Sequence, residues 1–80
     1  MKMSKALSER ISSLLEAQKK TAYRLERELR MPPRTIYNVA SAKYASANVR
    51  TIFLICKGLG ITIGEFFSHP IFEREELEVD

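Results

Sequence analysis

Residues 22–41 run Ala22-Tyr23-Arg24-Leu25-Glu26-Arg27-Glu28-Leu29-Arg30-Met31-Pro32-Pro33-Arg34-Thr35-Ile36-Tyr37-Asn38-Val39-Ala40-Ser41. Ala22, Leu25 and Leu29 repeat at helical spacing, so the first part reads as an amphipathic helix with Thr21 before it as N-cap. That helix is expected to end near Arg30. Pro32 and Pro33 cannot lie inside a helix, because each lacks an N–H and crowds the preceding turn. Proline suits a first helical turn, so a further helix is expected from about Pro33 to Ser41, with Ile36, Val39 and Ala40 facing inward. Met31 plugs the turn between them. The pattern is helix, tight turn, helix, and it leaves Arg34, Tyr37, Asn38 and Ser41 on an outer face.

Outward from this stretch the chain reads as three more short helices and no strand. Leu7, Ile11, Leu14 and Leu15 make one apolar stripe over about residues 5–18, with Ser4 as the expected N-cap. Lys19 and Lys20 form a polar break. Residues 42–48 are small and weakly periodic and read as a loop. Asn48 caps a helix whose inward stripe is Val49, Ile52, Phe53, Cys56 and Leu59, with Gly60 at the position where a left-handed residue closes a helix. Thr62 and Glu65 have the spacing of a capping box and open a last short helix before Pro70. The expected architecture is all-α, one domain over residues 1–72, followed by an acidic tail at 73–80 that frays at its end.

Eighty residues, 45% of them apolar, leave no room for a second core. No apolar run approaches the ~20 residues that span a bilayer. The first ten residues lack the apolar core of a secretory signal. A single cysteine, Cys56, offers no internal disulfide and reads as a small core residue in a reducing compartment. One histidine, His69, reads as a packing or surface residue. Nothing supplies a nucleophile–base pair or metal spacing, so neither enzyme activity, cofactor, metal nor small-molecule ligand is expected. A cytoplasmic location is.

Charge points to a polyanion. The net charge of the chain is +3, yet residues 19–50 hold eight cationic side chains against Glu26 and Glu28, a net +6. Residues 70–80 have Arg74 against five acidic groups, a net −4. A basic middle with an outward-facing helix is the electrostatic footprint of a nucleic-acid binder.

The stretch Thr21–Val39 resembles the helix-turn-helix of the Cro/C1-type (XRE) regulators of bacteria and phages, and Thr51–Phe67 resembles the fourth and fifth helices of that family. The resemblance covers about residues 5–72. It implies a five-helix, lambda-repressor-like DNA-binding fold, a dimer on a palindromic operator, and transcriptional control, most often repression. Three positions depart from the family pattern: Ala22 stands where a phosphate-binding Gln is usual, Glu26 where a small residue is usual, and Arg30 where the turn glycine is usual. Glu26 is thus expected to hold the two helices slightly farther apart. Arg30 is expected to cost about 1–2 kcal/mol if it is left-handed.

By that resemblance the base-reading positions fall on Pro32, Pro33, Arg34 and Asn38, with Tyr37 and Ser41 beside them. Pro33 offers apolar contact, Arg34 a bidentate pair to guanine, and Asn38 a bidentate pair to adenine. Lys20, Thr21, Tyr23, Thr35, Lys43 and Asn48 are placed for phosphates. Ile63, Phe66, Phe67, Ile71 and Phe72 are more apolar surface than a short terminal helix covers by itself, and they are expected to form the homodimer interface unless the tail folds back over them. A second class of function stays open: a protein-interaction module, antitoxin-like or inhibitory, built on the same scaffold.

Overall fold

The structure is a computed structural model that describes residues 2–42, 48–73 and 78. It is all-α. Among the described residues five helices follow in order, α1 (Met3–Ala17), α2 (Ala22–Leu29), α3 (Thr35–Ala40), α4 (Val49–Leu59) and α5 (Ile63–Phe67), then a 3₁₀ turn at Pro70–Phe72. No helix among the described residues is long and apolar enough to cross a membrane.

The core gathers one stripe from each helix. Leu7, Ile11 and Leu15 of α1 meet Leu25 of α2, Ile36 of α3, Ile52, Ile55, Cys56 and Leu59 of α4, and Phe66 of α5. Helix α1 packs on α3 and on the 3₁₀ turn, while α2 packs on both α3 and α4. Gly58 lets α4 approach α2 closely, since a Cβ there would stand 2.7 Å from Leu25 Cδ1.

Most helix ends fall where the local sequence places them. The Thr21 hydroxyl accepts from Arg24 N at 3.0 Å, and Asn48 Oδ1 accepts from Thr51 N at 2.8 Å. Thr62 and Glu65 make both bonds of a capping box, each at 3.0 Å. Three helices close in the same way, with one left-handed residue followed by a backbone bond reaching five residues back. Gly60 closes α4, with Ile61 N donating to Cys56 O; Lys19 closes α1, with Lys20 N donating to Leu15 O; Arg30 closes α2, with Met31 N donating to Glu26 O. Arg30 has φ 55°, so the prolines do not spare it the left-handed conformation.

Other ends differ from expectation. Ser4 is no cap: it is buried inside α1, which starts from Lys2. The reason is distant in sequence, because Met3 N donates to Glu78 O at 2.7 Å and the Lys2 ammonium pairs with the Glu78 carboxylate at 3.2 Å. The expected fraying of the tail therefore fails at Glu78, which is tied to the first turn of α1. Helix α3 starts at Thr35 rather than Pro33. Arg34, with φ 70° and ψ 0°, has the geometry of the third residue of a type II turn, and Thr35 N closes that turn on Pro32 O at 3.3 Å.

In α4 the inward stripe is Ile52, Ile55, Cys56 and Leu59, while Val49 and Phe53 are 70% and 46% exposed. This helix is apolar on two adjoining faces, and contact with α2 through Gly58 decides which one turns inward. Phe66 and Ile71, expected at a dimer interface, are buried in the core of their own chain. Phe66 lies under Phe67 and Phe72, with ring centroids at 4.9 and 5.9 Å. His69 Nδ1 caps the 3₁₀ turn by accepting from the Ile71 amide at 3.1 Å, and that turn packs on α1 and brings Phe72 against Phe66 and Phe67.

Candidate nucleic-acid interface

Six residues are too few for a helix to persist alone, because the cost of nucleation is spread over too few hydrogen bonds. Helix α3 is instead held at both ends by side chains of other helices. At its start the Glu26 carboxylate accepts from Ile36 N at 2.7 Å, Tyr37 N at 3.0 Å and Arg34 N at 3.2 Å. Glu26 is 4% exposed, and these three N–H groups satisfy the charge that burial removes from water. At its end Ser8 Oγ and Ser12 Oγ of α1 both donate to Ala40 O, the latter at 3.4 Å. Ile36 anchors the middle of α3 in the core.

Glu26 has a role beyond the spacing expected of it. Its carboxylate fills the space between them and acts as the N-cap of α3, taking the place of the Arg34 side chain, which makes no capping bond. Helix dipole and anion have the favourable sense here, with a carboxylate at a helix start.

Of the base-reading candidates, Pro33, Arg34, Tyr37 and Ser41 are exposed and share the outer side of the turn and α3. The Arg34 guanidinium lies over the Tyr37 ring, 4.6 Å from its centroid, and has no carboxylate partner among the described residues. Ser41 Oγ donates to Asn38 O at 3.3 Å. Asn38 is half-buried and its Oδ1 is enclosed, with no hydrogen-bond partner among the described residues. The bidentate contact to adenine needs that oxygen, so Asn38 must turn its amide to make it.

The phosphate candidates divide further. Tyr23 is 65% exposed, with Arg27 over its ring, and Thr21 and Asn48 lie exposed at helix starts. Lys20 is already paired with Glu28 at 2.9 Å, and Arg24 reaches the same carboxylate at 3.2 Å. Those cations hold the Glu28 carboxyl below its ordinary range, the hydrogen bond from Lys20 being the largest cause. The Thr35 hydroxyl donates to Pro32 O at 2.8 Å and is committed to the turn. Lys43 lies outside the described residues. Arg30 and Arg50, which the sequence did not mark as phosphate contacts, line a surface cavity of about 400 Å³ between the Pro32 turn and the start of α4, together with Thr35, Asn48 and Thr51.

Of the expected dimer residues, Phe67 alone is substantially exposed, while Ile63 and Phe72 are half-covered. Cys56 is enclosed, and burial pushes its thiol up, away from reactive thiolate chemistry. No cluster of three metal-ligating side chains occurs among the described residues. Compared with known proteins, the chain matches no family model, no curated protein and no solved structure.

Proposed function

We propose that this chain is a sequence-specific DNA-binding regulator of the Cro/C1-type helix-turn-helix kind, a repressor that lays α3 in the major groove. The observation that carries the reading is the presentation of α3: a six-residue helix clamped by Glu26 at its start and by Ser8 and Ser12 at its end, with Arg34, an arginine that has no carboxylate partner among the described residues, on the outer side of its first turn. A short helix clamped by its neighbours and faced with polar groups is suited to groove insertion. The exposed Thr21, Tyr23 and Asn48, with Arg27, Arg30 and Arg50, supply contacts to phosphate on either side. In this reading two copies bind a palindrome, their α3 helices one DNA turn apart, and Phe67 with the rims of Ile63 and Phe72 is the surface left for the dimer.

The test is selection from a random duplex pool at two salt concentrations, followed by anisotropy titration of the enriched sequence. One enriched palindrome, with affinity falling steeply as salt rises, supports the reading. Binding without enrichment contradicts it. Exposed Val49 and Phe53 on α4 favour the second reading, a protein-interaction module, in that event.

A further inference from the structure

Arg34 holds a backbone conformation that suits glycine, at φ 70°, in a turn whose third residue is ordinarily glycine for that reason. Strain of this kind persists only where surrounding structure enforces it, and it gathers at functional positions. Two neighbours enforce it here. The buried Glu26 carboxylate accepts the Arg34 N–H at 3.2 Å and fixes the backbone, while the half-exposed Tyr37 ring lies 4.6 Å beneath the guanidinium and fixes the side chain. Glu26 also holds the Tyr37 N–H at 3.0 Å, so a single carboxylate registers both members of the stack.

We infer that Glu26 and Tyr37 are positioning residues that preset the Arg34 guanidinium to read one guanine, so that Tyr37 acts through its ring on Arg34 and not through its own contact with a base. This deepens the DNA-binding reading and rests on it. A free arginine loses rotamer freedom when it settles on guanine O6 and N7, whereas a stacked one has already lost part of it. The ring lies against one face of the guanidinium, which leaves its edge of N–H donors for the bidentate pair. Two other arrangements of the same residues have less support. Among the described residues Arg34 has no carboxylate to pair with as a surface ion pair, and Tyr37 buries too little of itself to serve the core.

The experiment uses the full chain and the duplex enriched in the pool selection, with each base of one half-site varied in turn. Arg34→Ala first identifies the position at which guanine preference disappears. Tyr37→Leu is expected to reduce the preference at that same position about three- to tenfold, with the other positions unchanged. Tyr37→Phe keeps the ring and restores the preference. The double variant Arg34→Ala with Tyr37→Leu is expected to be no worse than Arg34→Ala alone. Glu26→Gln keeps the shape but offers one acceptor oxygen, and it relaxes the same position; Tyr37→Leu carries the test should Glu26→Gln fold poorly. Equal weakening by Tyr37→Leu on every duplex, relaxation at a different position, or a Tyr37→Phe loss as large as that of Tyr37→Leu overturns the inference. A wild-type chain that enriches no sequence is seen before any variant is made, and it refutes the DNA-binding reading itself.

Discussion

Helix α4 is capped by the residue directly before it, whereas α3 is capped by a residue ten positions upstream on another helix. Asn48 bonds Thr51 N within one turn of chain, and Thr62 with Glu65 does the same for α5. Glu26 reaches across from α2 to three N–H groups of α3 and its turn. The first arrangement makes each helix answerable to its own sequence. The second makes the position of α3 answerable to α2. In the proposed DNA-binding role, that coupling would let the scaffold set the orientation of α3 in the groove.

The largest test of the contrast is Glu26→Ala. It leaves buried N–H groups without an acceptor and is expected to cost about 2–3 kcal/mol in chemical denaturation. Asn48→Ala removes an exposed local cap and is expected to cost about 1 kcal/mol. Equal costs would erase the distinction between borrowed and local caps. The comparison sharpens at Arg34 and Arg30, both left-handed. Either residue changed to Gly is expected to stabilise the fold by about 1 kcal/mol, because glycine carries no penalty there. Arg34→Gly is expected in addition to abolish guanine preference in duplex titrations, a loss of specificity accompanying a gain in stability.

The smallest effect concerns Glu28. Its folded-state pKa is lowered, first by the hydrogen bond from Lys20, so its contribution to stability is present above the ordinary carboxylate range and lost as pH falls through the lowered value. Glu28 lies at the surface and the gain is slight. Glu28→Gln is expected to flatten the acid limb of a stability-against-pH curve and to free Lys20 and Arg24, raising the salt dependence of duplex binding.

Whatever depends on neighbours in the chain was legible in the sequence. Thr21, Asn48, the Thr62–Glu65 box and Gly60 all act within one helical turn, and the all-α fold follows from them and from the apolar spacing. What depends on distant chain was not. Ser4 has the right chemistry for a cap, but Glu78, arriving from the other end of the chain, extends α1 past it. Glu26 stands where the resemblance suggests a spacer, and its role emerges only when α3 is beside it. Val49 and Phe53 share a helix with Ile52 and Ile55, and periodicity alone cannot choose between two stripes one residue apart. A count of aromatics likewise cannot tell that Phe66 is covered from within by Phe67, Phe72 and the returning chain. Of the candidate site, the outward face at Arg34 and Tyr37 was legible, and the stack between them was not.

The central claim is that α3, held by α2 and α1, is the surface that meets DNA. Amide chemical-shift mapping of the isotope-labelled chain, titrated with a mixed-sequence duplex at low salt and then with the enriched one, tests it directly. The account predicts shifts concentrated at Arg34 through Ser41 and at the helix starts near Thr21 and Asn48, with the α5 amides Ile63 to Phe67 unmoved at a constant oligomeric state. Shifts centred instead on Phe53 and Phe67, with α3 silent, would contradict it.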